Sequence, residues 1–92
     1  MNATDFAQYR QKCLAAGFDQ PLERYWEPHT VVGTHSHPFA VLARVSKGEM
    51  WLTVEGQTAH LLPGSSFALE RNAPHQERYG PEGASYWVGR KA

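Results

Sequence analysis

An all-β barrel or sandwich is the fold class that these 92 residues predict, and two observations carry most of the argument. Short β-favouring runs recur at residues 22–26, 31–45, 49–54, 58–62, 66–69, 76–79 and 85–88. They are punctuated by the turn signals Glu27-Pro28, Lys47-Gly48, Glu55-Gly56, Pro63-Gly64 and Gly80-Pro81. Aromatic residues concentrate in the same runs, with Trp26, Trp51 and Trp87 each inside one. Short strands joined by close turns read as an antiparallel barrel or sandwich.

One helix precedes the strands. Thr4 is placed to cap it, and Phe6, Tyr9, Cys13 and Ala16 recur at helical spacing. Gly17 supplies the left-handed residue that ends it. The expectation is a helix over residues 4–17, acting as a lid or a brace, followed by a barrel over about 20–90. A chain of this length buries roughly 60–65% of its unfolded surface, enough for one core, so a single domain over 1–92 is expected. It carries no internal repeat, low-complexity tract or linker.

Composition narrows the partners. Nine basic and nine acidic residues cancel without forming a basic stripe, so nucleic acid is not an expected partner. No basic leader followed by an apolar segment opens the chain, and no run approaches the ~20 apolar residues that cross a bilayer. A soluble, cytoplasmic protein of bacterial type is expected, with no membrane partner. The single cysteine, Cys13, cannot form an internal disulfide, which agrees with a reducing compartment; with no base beside it, it reads as helix packing rather than as a nucleophile.

The histidines carry the functional signal. His35-Ser36-His37 lies in one segment and His75 in another, and neutral imidazoles are good ligands for divalent transition metals. In a strand over 31–45, His35 and His37 would share a face about 6.6 Å apart, with Ser36 turned away. A lone His-x-His is also a common surface pair, so the second segment gives the pattern its weight.

The two segments resemble the two motifs of the cupin superfamily, small RmlC-like jelly-roll barrels, over residues 22–88. In the first motif His35, His37 and the closing Gly48 fall at the expected positions, while His29 replaces the opening glycine and Val41 the glutamate ligand. In the second, Gly64 and His75 fit with the spacing intact, and Glu70, Asn72 and Tyr79 replace the proline, the second glycine and the asparagine. Asparagine is among the few residues that tolerate the positive φ a glycine supplies. Residues 49–63 separate the motifs and hold one hairpin turning at Glu55-Gly56.

The resemblance implies a cupin-type jelly-roll barrel with a short N-terminal helix, in which His35, His37 and His75 hold one divalent transition metal, Fe, Mn, Ni or Zn. Val41 shares their parity and cannot donate to an ion, which leaves a neutral three-histidine site with open positions. Such sites are similar to those of the thiol dioxygenases and some diketone-cleaving enzymes. A dioxygenase-like reaction on a small molecule is therefore one expectation. A non-enzymatic sensor or ligand-binding module, like the barrels fused to bacterial transcription regulators, is another, and a structural or vestigial metal site a third.

Glu77 and Tyr79 share the parity of His75 and are the candidate catalytic residues, Glu77 as a carboxylate near the metal or a substrate proton and Tyr79 as a phenolic donor. Each has a plain alternative: Glu77 pairing with Arg44 or Arg78 at the rim, and Tyr79 filling the barrel mouth. Phe39, Val41, Met50, Leu52, Phe67 and Leu69 are candidates for pocket wall or core. His29 and His60 read as exposed, with His29 the nearer substitute for a fourth ligand. A homodimer would cover strand edges and aromatic surface, through Trp26 or Trp87 unless these lie in the core.

Overall fold

The computed structural model describes residues 3–92, with side chains from Asp5 onward. The helix α1 spans Ala3–Ala15, and six strands follow: β1 Leu22–Trp26, β2 Val31–His35, β3 Ala40–Val54, β4 Gln57–Leu61, β5 Ser66–Leu69 and β6 His75–Lys91. The side chain of Thr4, read as the helix cap, lies outside the described residues. Gly17 ends the helical turn at a φ of 85°, with Phe18 donating to the carbonyl of Cys13. Every strand pairing is antiparallel.

Two long strands organise the rest. The first half of β3 pairs with residues 84–91 of β6 and with β5, while β1 lies on the other side of that half of β6. The second half of β3 pairs with residues 75–79 of β6 and with β4, and β2 flanks that end of β6. The strands thus bend together into two facing leaves, the jelly-roll arrangement of a cupin barrel. Between the leaves lies a core of Val41, Ala43, Val45, Met50, Leu52, Leu61, Leu69, Tyr79, Ala84 and Tyr86.

The bend corrects two readings. Lys47-Gly48 and Gly80-Pro81 are turn signals in sequence, yet β3 and β6 run through them as bulged strands. Gly48 pairs with Ala84 and Met50 with Tyr79, so residues 80–83 of β6 oppose Glu49 alone. A β-carbon on Gly48, whose φ is 79°, would collide with the Gly83 carbonyl oxygen. A turn signal and a bulge use the same residue types, because both need backbone that departs from the pleat. Glu55-Gly56 is a true turn, with both φ values positive, as a two-residue hairpin demands.

The predicted run 31–45 also divides. It breaks at residues 36–39, which include Pro38, so His37 lies between β2 and β3 rather than on a strand.

Helix α1 braces the outer face of one leaf. Tyr9 and Cys13 are fully buried with Trp87, and Phe6 meets the Trp87 ring edge-on at 5.2 Å. Trp87 is thus core, and Trp26 packs against the barrel core, so neither offers the exposed aromatic surface proposed for a homodimer contact. Leu22 and Tyr25 are large apolar side chains left exposed on this leaf. Among the described residues no helix is long and apolar enough to cross a membrane.

The bend gives a direct test. Gly48→Ala is expected to destabilise the fold by about 2–4 kcal/mol in guanidinium titrations, from strained φ and collision together. Gly56→Ala, at a similar φ but with open space around it, is expected to cost about 1 kcal/mol. Equal losses would contradict the close approach of the two strands.

Candidate metal centre

Three imidazoles converge at one end of the barrel. His35 ends β2 directly opposite His75, the first residue of β6. His37 reaches the same point from the connection, where its carbonyl accepts the Asn72 N–H at 2.7 Å and the Pro38 carbonyl accepts from Arg71 at 3.2 Å. Asn72 adopts a φ of 64°, the left-handed conformation anticipated for this position. The segment before β6 therefore clamps the segment before β3 and sets where the His37 ring falls. One nitrogen from each ring lies within 4.8 Å of the others.

Hydrogen bonds fix the tautomers of two of the rings. Nδ1 of His35 donates to the Gly33 carbonyl at 2.8 Å, and Nδ1 of His75 donates to the Ala73 carbonyl at 2.9 Å. Each Nε2 is then a bare lone pair when the ring is neutral, in the orientation a metal-ligating histidine takes. Burial, reinforced by His35 and His75 nearby, holds the His37 pKa below its ordinary value and so favours the neutral ring.

Glu77 completes the cluster. Its Oε2 lies 3.5 Å from His35 Nε2 and 3.7 Å from His75 Nε2. Its Oε1 accepts a short hydrogen bond, 2.5 Å, from the Tyr79 hydroxyl. The rim pairing weighed for Glu77 is not formed, since Arg44 reaches Ser66 and the Tyr9 ring, and Arg78 lies over Trp51. Tyr79 is fully buried, stacked on Trp26 at 5.3 Å, and stands behind Glu77 rather than on the cavity wall. Burial, with the carboxylate of Glu77 among lesser contributions, raises its pKa well above the ordinary tyrosine value.

A cavity of about 290 Å³ opens onto the cluster. Of the predicted wall residues, Phe39, Val41, Phe67 and Leu69 line it, while Met50 and Leu52 belong to the core. Val41 faces inward as its parity required. Trp26, Tyr86, Val88, Arg24 and Arg90 also line it and were missed from sequence. Their signal was parity: Arg24 alternates with Trp26 on β1, and Arg90 with Val88 and Tyr86 on β6. His29 is exposed in a turn, and His60 pairs with Glu49 at 2.6 Å and stacks on Trp51; neither belongs to the cluster.

Residues 23–84 match the cupin domain family. The chain belongs to that family. Among solved structures, this cupin is similar to an RmlC-like cupin from Shewanella frigidimarina, at a TM-score of 0.68 and 19% identity, over 79% of this chain and 66% of that one. It is similar to the DMSP lyase DddQ from Ruegeria pomeroyi, at a TM-score of 0.70 and 21% identity, over 76% of this chain and 36% of that one. The polyketide cyclase RemF from Streptomyces resistomycificus matches at a TM-score of 0.62 and 24% identity, over 75% of this chain and 50% of that one. The chain spans only about a third of the lyase's length and half of the cyclase's. These likenesses establish a shared fold. No curated protein sequence matches the chain.

The tyrosines set an alkaline limit. Because the folded Tyr79 and Tyr86 have pKa values raised above the unfolded value, their contribution is complete below about pH 10 and is lost as pH rises further. Melting temperature is expected to hold from pH 8 to 9.5 and to fall by pH 11. Tyr79→Phe, which leaves Glu77 without its buried donor, is expected to cost about 2 kcal/mol at pH 8. A Tyr79→Phe protein as stable as the native one would contradict the Tyr79–Glu77 bond.

Proposed function

We propose that this cupin is a mononuclear metalloenzyme acting on a small molecule, with His35, His37 and His75 holding a divalent transition metal and Glu77 serving as the base beside it. The observation that carries this reading is the pair of anchored rings, whose Nδ1 atoms are committed to backbone carbonyls while their Nε2 lone pairs face the cluster. Lone pairs brought together beside a carboxylate repel one another unless a cation or a proton lies between them. The donor set is nitrogen-rich, which suits Fe, Mn, Ni or Zn, and Val41 adds no further ligand.

A bound ion would act as a Lewis acid, polarising an oxygen of the substrate. The chain supplies the rest. Phe39, Phe67 and Leu69 shape a mostly apolar wall for the ligand. Glu77 Oε2, on the cluster side, is the atom placed to take a proton from a bound molecule, and Tyr79 holds Oε1 so that this oxygen stays turned inward. Tyr79 is thus a positioning residue rather than the phenolic donor considered from sequence. A base against the cluster supports proton-transfer chemistry, such as elimination or cyclisation, more directly than dioxygenation. The relatives named as a lyase and a cyclase are in keeping with that preference.

Metal content tests the reading. Untagged protein purified without added metal or chelator is expected to carry about one ion per chain by plasma mass spectrometry, and the His35→Ala/His37→Ala variant close to none. Glu77→Gln is expected to keep its metal, since the histidines hold it. Equal metal in the native and double-alanine proteins would transfer the function to a metal-free ligand-binding module. Oxygen uptake with thiol or diketone substrates would restore the dioxygenase reading over proton transfer.

A further inference from the structure

The cavity is apolar along its walls, and two solvent-exposed arginines present guanidinium groups to it. Arg24 on β1 and Arg90 on β6 both line it, from neighbouring strands. Each is half supported by an aromatic ring: Arg24 lies 4.5 Å over Trp26, and Arg90 lies 4.8 Å over Phe39. Those rings lead to the cluster, because Phe39 stacks on His37 at 5.0 Å and Trp26 stacks on Tyr79. Arg90 therefore stands one ring away from His37, and Arg24 one ring away from Tyr79, which holds Glu77.

Among the described residues, no ion pair joins either guanidinium to a carboxylate. Asp19 and Glu23 line a second, outer cavity together with both arginines, but the Asp19 carboxylate accepts from the backbone N–H of Arg90 at 2.7 Å. Two positive charges against one internal carboxylate, Glu77, leave the cavity with a positive balance, which a divalent ion at the histidines would increase. Planar guanidinium groups match carboxylates in geometry as well as in charge.

We propose that Arg24 and Arg90 form a carboxylate subsite in the histidine cavity, and that the substrate is a small organic acid whose carboxylate is held there while its apolar body reaches the three histidines. This rests on the cavity being the substrate site of the proposed metalloenzyme. The volume, at the small end of ligand pockets, fits a body of a few carbon atoms or one ring. Phe39, Phe67 and Val88 supply the apolar contact for that body.

The test is calorimetric titration of zinc-loaded and metal-stripped full-length protein with glutarate, benzoate and phenylacetate, each against its neutral amide. At least one acid is expected to bind about tenfold or more tightly than its amide, a preference that persists without metal. Arg24→Gln/Arg90→Gln is expected to abolish the preference while keeping native circular dichroism and metal content, and Arg24→Lys/Arg90→Lys to retain part of it. The proposal is overturned if no acid is preferred over its amide. It is overturned equally if the preference survives in the glutamine variant or vanishes on metal removal, since either result would place the acid elsewhere. Failure of the metal site itself would appear separately, as native protein without bound ion.

Discussion

Three imidazoles and a carboxylate brought within a few ångströms of one another form the constraint on which the site depends. In water such groups would turn apart, each to its own solvent. Here the backbone forbids it: the Gly33 and Ala73 carbonyls hold the rings of His35 and His75 from behind, and Tyr79 holds Glu77. The arrangement concentrates unshared electron pairs in a partly buried place, which favours a cation over an empty cluster. An ion bound by the folded cluster would stabilise the fold in turn, by linkage.

The barrel explains how so short a chain can hold that arrangement. His35 and His75 are fixed as a cross-strand pair, and β6 ties the cluster to the core through Glu77 and Tyr79, which alternate with His75 on the inward face. The same strand continues through the bend at residues 80–83 into the other leaf, where Tyr86, Val88 and Arg90 line the cavity. One strand thus contributes to the histidine cluster, the core and the cavity wall. Its outer side, through Trp87, is covered by the helix, so α1 supports the leaf that carries the arginines.

Much of this was legible from residue spacing. The strand runs, the hairpin at Glu55-Gly56, the inward direction of Val41 and Glu77, and the grouping of His35, His37 and His75 follow from period-two alternation and motif spacing. The failures have physical causes. Pro38 interrupts the run 31–45, so the position of His37 depends on a contact with Asn72, distant in sequence, rather than on strand parity. The bulges at Gly48 and Gly80-Pro81 resemble turns because local composition cannot report that a partner strand bends in step. Arg24 and Arg90 escaped notice because charged residues on short strands ordinarily face solvent; both are indeed exposed, and only the closed barrel shows that they also border a cavity.

The central claim is that the Nε2 atoms of His35 and His75, with a nitrogen of His37, share one ion. Anomalous diffraction from crystals of zinc-loaded protein tests it most directly. The account predicts one peak about 2.0–2.1 Å from each of the three imidazoles, with the Nδ1 bonds to Gly33 and Ala73 intact. A peak bound elsewhere, or an ion reached through Nδ1 of His35 or His75, would contradict it.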